Sequence, residues 1–203
     1  MRKMNHDIEE KPLVERLGYS FETQVSTKYT IHINEEIMDA SYYSVISDLL
    51  DNANEGDLVI FKVNSPGGQL SGLNTILDAI ETTEATTIAD IVGDCYSAAS
   101  ILALSCDECV AGSYANMLCH EVRYGVVGKG SDNLSHVQHY KKISDKLIKT
   151  AYEGFLSAVE IQDVLNGKEL FLDSEEIVER LKARAEYFQE REEVDLDSAG
   201  LTD

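Results

Sequence analysis

Hydrophobic positions along this chain recur with two periods. Tyr29-Thr-Ile-His-Ile33 alternates in steps of two and is rich in β-formers, which predicts a first strand. Leu58-Val-Ile-Phe-Lys-Val63 and Thr86-Thr-Ile-Ala-Asp-Ile-Val92 are nearly continuous apolar runs, the pattern of parallel strands covered on both faces. Between them Leu70, Leu73, Ile76, Leu77 and Ile80 trace a helix face. Tyr43, Val45, Ile46, Leu49 and Leu50 do the same earlier, with Asp39 as the expected N-cap. Ala98 to Leu104 predicts a short buried helix, and Glu108–Ala111 and Asn116–Val122 predict two short strands. Residues 131–165 carry a helical stripe that includes Leu134, Val137, Ile143, Leu147 and Ile148. Leu170-Phe-Leu172 is a short apolar piece, and Ser174 is the expected cap of a last helix running toward residue 190. Strands alternating with helices predict an α/β fold.

The same pattern divides the chain. Residues 1–27 are polar and mixed in charge, an N-terminal arm; 28–185 form the domain; 186–203 hold seven acids against one arginine and read as a solvated acidic tail.

Composition narrows the possible partners. The chain has 203 residues, 43% of them hydrophobic, enough for one large domain with a core. The 37 acids outnumber the 17 bases, for a net charge of −20. Phosphate binding needs clustered cations, so nucleic acid is excluded as a direct partner. No run approaches the roughly 18 apolar residues of a membrane span, and the first ten residues lack the apolar core of a secretory signal. The expectation is a cytoplasmic protein without disulfides, its four cysteines buried as free thiols. Cys106-Asp-Glu-Cys109 has no second pair, so neither metal nor cofactor is expected. His136 and His139 lie one turn apart, but no acids of known geometry accompany them.

Chemistry concentrates at Gly93-Asp-Cys-Tyr-Ser97-Ala-Ala-Ser100, where a predicted strand turns into a helix. A serine there is set against the free N–H groups and positive dipole end of the helix. Ser65-Pro-Gly-Gly68 follows the preceding strand, and sites in parallel sheets form at the carboxyl ends of strands. A double glycine lets backbone N–H groups approach a ligand, so the two turns together could supply a nucleophile and an oxyanion hole. Serine needs a base. Of the five histidines, His120, closing a short strand, fits a fixed position best. The orienting acid is not selected by spacing alone. Ser100 rivals Ser97 as nucleophile, although one turn into the helix its hydroxyl is expected to bond back to a carbonyl.

Val63-Asn-Ser-Pro-Gly-Gly68, Gly93-x-x-x-Ser97-Ala-Ala-Ser and Asn116-Met-Leu-Cys-His120, in this order, resemble the proteolytic subunit family of the Clp proteases. Ser-Ala-Ala-Ser followed by Ile-Leu-Ala-Leu-Ser-Cys-Asp is most similar to the Clp-like proteases of phages that mature the head. The resemblance spans about residues 28–185. It implies a crotonase-like fold of stacked parallel strands and helices, with a strand-plus-long-helix handle at about 121–165. It also implies a serine endopeptidase without metal: Ser97 as nucleophile, His120 as general base, and the N–H groups of Gly68 and Ala98 as the oxyanion hole. The family's acid is an Asp; the matching position here is Glu169, with Asp173 and Asp163 as the other candidates. Polypeptide substrates, a homo-oligomeric ring and residence in the host cytoplasm or a phage procapsid follow from the same likeness. An AAA+ unfoldase is a possible partner, although residues 1–26 show no counterpart of the family's axial loop.

Three departures carry expectations of their own. Glu121 sits beside the base, Tyr96 stands where a small residue is usual and should narrow the pocket, and a related branch uses a Ser–Lys pair for which Lys129, Lys141 and Lys142 are candidates. An inactive scaffold of the same fold is the alternative reading. An acyl-CoA enzyme is disfavoured by the lack of a basic patch.

Overall fold

The computed structural model describes residues 26–199. The expected arm lies outside them up to residue 25, and the expected tail from residue 200. Six strands form one sheet in the order β1-β2-β3-β5-β6, with β4 also on β3. Strands β1 (Lys28–Ile33), β2 (Leu58–Ser65), β3 (Thr86–Tyr96), β4 (Glu108–Ala111) and β5 (Asn116–Cys119) are parallel. Strand β6 (Leu170–Leu172) runs antiparallel to β5.

Helices α1 (Ser44–Asp51), α2 (Leu70–Thr82) and α3 (Ala98–Ser105) provide the crossovers, and α4 (Gly130–Ala151), α5 (Ala158–Leu165) and α6 (Ser174–Ala199) come after the site-bearing strands. Helix α3 is apolar all round, which is the pattern of a helix enclosed on every side. All its residues from Ala98 to Leu104 are buried.

Besides the expected handle, in which no strand immediately precedes α4 and the helix predicted over 131–165 breaks at 152–157, four expectations need correction. The strands are not covered on both faces. In β2, Val59, Phe61 and Val63 are fully buried while Leu58, Ile60 and Lys62 are only partly so. The reason is a polar row across the sheet: His32 pairs with Lys62 and Lys62 with Asp90, and Lys62 Nζ lies 2.7 Å from Asp90 Oδ2. The second correction concerns β3, which does not end at Val92 but continues to Tyr96. Its register on β2 jumps from Val63↔Ile91 to Ser65↔Cys95, a bulge of two residues. Asn64 bridges it, its Oδ1 accepting from the Asp94 N–H at 3.0 Å. A Cβ at Gly93 would lie 2.4 Å from that same oxygen, so Gly93 makes room for the bridge and is not a turn. Bulges of this kind bend a strand and re-aim the residues beyond it.

The third correction concerns the last helix, which is capped by Asp173 and not by Ser174. Asp173 Oδ1 accepts from the N–H groups of Glu175 and Glu176, and Glu176 Oε2 accepts from the Asp173 N–H. That reciprocal pair is a capping box one residue upstream of the expected cap. Finally, the helix runs on to Ala199, past the expected stop near 190 and into the segment read as a tail. No Gly or Pro interrupts it before Gly200, and Arg191 ties it to Glu153 at 2.6 Å.

Helix α4 has two halves. Its C-terminal part buries Ser144, Ile148 and Ala151, while Leu134, Val137, Tyr140 and Ile143 are exposed. The apolar stripe thus continues past the core, with Leu134 and Val137 on the surface and Tyr140 and Ile143 bordering the groove that also takes in Ser97.

Candidate active site

The bulge delivers two turns to one place. Ser65 on β2 is in register with Cys95 on β3, so Pro66-Gly67-Gly68 leaves the sheet beside Tyr96-Ser97-Ala98. The approach is close. A Cβ on Gly67, whose φ is +87°, would lie 2.4 Å from the Tyr96 carbonyl oxygen and 2.7 Å from Ser97 Cβ. Ser65 holds the turn from below, its hydroxyl donating to the Glu35 carbonyl at 2.6 Å and accepting from the Gly67 N–H at 3.1 Å.

Ser97 is the N-cap of α3 and has φ 57° and ψ −123°. Among the described residues no other non-glycine has positive φ. Such a conformation costs a serine about 1–3 kcal/mol and persists only where the surroundings over-determine it. Here the Ser97 N–H donates to the Leu118 carbonyl at 2.9 Å, and its own carbonyl accepts from the Ser100 N–H at 3.0 Å. The elbow leaves Ser97 half-buried and facing a groove of about 880 Å³.

His120, Gly68 and Ala98 border that groove with Ser97. Gly68 forms a bridge to Ile37 through its neighbours: Ile37 donates to the Gly67 carbonyl and Gln69 donates to the Ile37 carbonyl, each at 2.7 Å. Within the described residues the Gly68 N–H finds no acceptor, and neither does the Ala98 N–H at the first turn of α3. Two free donors therefore flank the serine. A cleft of about 920 Å³ between α4, α5 and α6 is as large but carries the Glu160–Arg180 ion pair and no such combination.

Ser97 and His120 share the groove without a hydrogen bond between them. Loose catalytic contacts of this kind are common in the absence of substrate. The β5–β6 ladder ends at Cys119↔Leu170, so His120 and Glu169 leave its end as neighbours. The Glu169 carboxylate is nonetheless engaged elsewhere, paired with the Arg123 guanidinium from the segment after His120. The other candidate acids are also occupied. Asp163 holds Lys168 at 2.7 Å, and Asp173 caps α6.

Several rivals are removed. Ser100 is fully buried and its hydroxyl bonds to the Ser97 carbonyl at 2.7 Å, as its place in the helix predicts. Lys141 bonds Asp145 and the Leu165 carbonyl, and neither it nor Lys129 nor Lys142 reaches the groove. Tyr96 does not narrow the pocket. Strand alternation sends Cys95 into the core and Tyr96 to the opposite face, where its ring meets Phe171 edge-on at 6.4 Å. Desolvation, followed by a hydrogen bond to Asp94, raises its phenol above the usual tyrosine value.

Sequence reasoning missed Asn64 and Arg123. An asparagine before a Ser-Pro-Gly-Gly turn gave no sign of bridging a bulge, and a single exposed arginine carries no spacing signal.

A strained hydroxyl-bearing elbow at a strand end, with free N–H donors and a histidine just past the end of β5 on the same groove, is an arrangement that a hydrolase of the peptidase class can use. The chain belongs to the Clp protease family: the family model for Clp protease matches residues 15–179. No curated protein matches the chain. Members of the family act on polypeptides and are generally oligomeric. Among the described residues no helix is long and apolar enough to cross a membrane.

Proposed function

We propose that the protein is a serine endopeptidase working through an acyl-enzyme on Ser97. His120 takes the Ser97 proton as the hydroxyl attacks the scissile carbonyl, and later returns it to the leaving amine. The N–H groups of Gly68 and Ala98 hold the developing oxyanion, each such donor being worth about 2.7–4 kcal/mol in a transition state. Glu169, at the end of the ladder beside His120, orients the imidazole once it exchanges Arg123 for the histidine. The observation that carries this reading is the strained elbow itself. A serine at φ 57° between two unsatisfied N–H donors has no structural purpose that glycine would not serve better.

The resemblance to phage Clp-like proteases supports a capsid-associated polypeptide as substrate, with general proteolysis as the other setting. Assembly into a ring and docking of an AAA+ unfoldase accord with the family's habit. Labelling with a fluorophosphonate tests the chemistry: wild type should be labelled and Ser97→Ala should not. Labelling that persists in Ser97→Ala removes Ser97 as the nucleophile.

Two observations favour a second reading, an inactive scaffold of the same fold. Glu169 is held by Arg123, and Ser97 and His120 are not hydrogen-bonded. A scaffold would show neither labelling nor self-processing during expression.

A further inference from the structure

Behind the elbow lies a hydroxyl pair that the chemistry above does not use. Ser100 and Tyr152 are both fully buried, and neither borders the groove. Ser100 Oγ lies 2.7 Å from the Ser97 carbonyl, 3.4 Å from the Leu118 carbonyl and 2.8 Å from the Tyr152 hydroxyl. Either hydroxyl of the pair can donate to the other, and the short contact to the Ser97 carbonyl favours one direction. A carbonyl only accepts, so with the Ser100 proton on the Ser97 carbonyl at 2.7 Å, Ser100 accepts from Tyr152. The two carbonyls belong to the two halves of the site: one is the nucleophile's own, and the other lies two residues before His120 on β5. The Leu118 carbonyl also accepts the Ser97 N–H at 2.9 Å. One buried hydroxyl thus touches the strand that carries the base and the elbow that carries the nucleophile.

Tyr152 is the C-cap of α4. Its phenol is a polar group in the core, in a position where phenylalanine would fill the same space without a desolvation cost. Ser100 could satisfy its own proton by back-bonding alone. The added bond restricts the Ser100 rotor, and with it the strained Ser97 backbone, which needs over-determination to persist.

We infer that Ser100 and Tyr152 are positioning residues that hold the Ser97 elbow in register with the His120 strand, and that Tyr152 ties this register to the end of α4. The inference rests on the Ser97–His120 reading.

The test is fluorophosphonate inactivation of the full-length protein, resolved into the maximal rate kinact and the half-saturating concentration KI. Tyr152→Phe and Ser100→Ala should each lower kinact about tenfold while KI stays within about twofold. Ser100→Thr keeps the hydroxyl and should recover most of the rate. The double variant should be no slower than the slower single, because the two groups act through one contact. Wild-type kinact in either single variant overturns the inference, whatever happens to Tm, and so does a fully additive double. If Ser100→Ala does not fold, Tyr152→Phe, which loses one oxygen and keeps the packing, decides alone. A wild type that is not labelled, or a Ser97→Ala that is, removes the Ser97 reading and this inference with it. A labelled wild type with unaffected Tyr152→Phe removes only the inference.

Discussion

Gly67 shows how tightly the site is drawn at the level of single residues. Its φ of +87° is one that side chains rarely adopt, and an added Cβ would meet the Tyr96 oxygen, Ser97 Cβ and the Ala98 nitrogen, all within 2.9 Å. None of these is a flexible side-chain end that can swing away. Gly67→Ala should therefore cost about 1–3 kcal/mol in backbone strain alone, and it should abolish labelling by pushing Ser97 out of the elbow. Denaturant unfolding and probe labelling of the same preparation check both parts; a stable, labelled Gly67→Ala would show that the turn is looser than its geometry implies. Arg123 and Glu169 make a second residue-scale case. If Glu169 orients His120, it must leave Arg123, and Arg123 then competes with the catalytic arrangement. Arg123→Gln should raise the rate of labelling, whereas Glu169→Ala should lower it by about 10²-fold, within the range of a disturbed acid–base partner. Should Arg123→Gln instead slow the reaction, the guanidinium is acting on substrate and not on Glu169.

Elements are held by partners that sequence patterns signal unevenly. The β1, β2 and β3 strands and the α2 and α3 helices were legible from apolar patterning, although the unbroken runs of β2 and β3 overstated their burial, one face being only partly covered. That Ser97, Gly68 and His120 come to one groove was legible because each follows a strand end. The bulge at Asn64–Gly93 was not, since a side chain replacing a ladder bond leaves no periodic trace. The cap of α6 was missed by one residue because Asp173 and Ser174 are both good caps, and only Glu176 at the third position decides between them. The start of α5 supplies a prediction. Ser157 and Glu160 form a capping box, and Arg180 from α6 grips Glu160 with both nitrogens, at 2.8 and 3.1 Å. The guanidinium, followed by the Ser157 hydrogen bonds, lowers the Glu160 carboxyl from its ordinary 4.5 to about 2. Its folded value lies below its unfolded one, so its contribution is complete above about pH 4.5 and is lost as pH falls toward 2. Arg180→Met should cost about 1–2 kcal/mol at neutral pH, solvent screening keeping the pair below the worth of a fully buried one. Its stability curve should converge on wild type at the acid end of that window. Parallel curves across the whole window would mean that Arg180 stabilises through packing and not through this charge.

At the scale of the whole molecule, charge and apolar surface pull in opposite directions. Each chain carries a net charge of −20, which opposes close approach of copies. Yet α4 projects Leu134, 60% exposed, and Val137, 38% exposed, on the stripe whose other end is packed into the core. A stripe left open on a projecting helix is what a second copy would cover, in keeping with the oligomeric habit of the family. If apolar burial drives the contact against like-charge repulsion, salt should strengthen it. Raising NaCl from about 50 mM to about 500 mM shortens the Debye length from roughly 14 Å to roughly 4 Å and removes most of the repulsion between exposed charges. Native mass measurement or sedimentation should therefore show larger assemblies at high salt, and Leu134→Glu, which lies away from the groove, should abolish them at both concentrations. Dissociation on adding salt would point to charge-complementary contacts instead. Tyr152, at the buried end of the same helix, would give such an assembly a route to the site. Copies that fix α4 also fix the residue whose phenol reaches Ser100, so wild-type labelling should quicken with assembly, and in Tyr152→Phe the rate should be insensitive to salt.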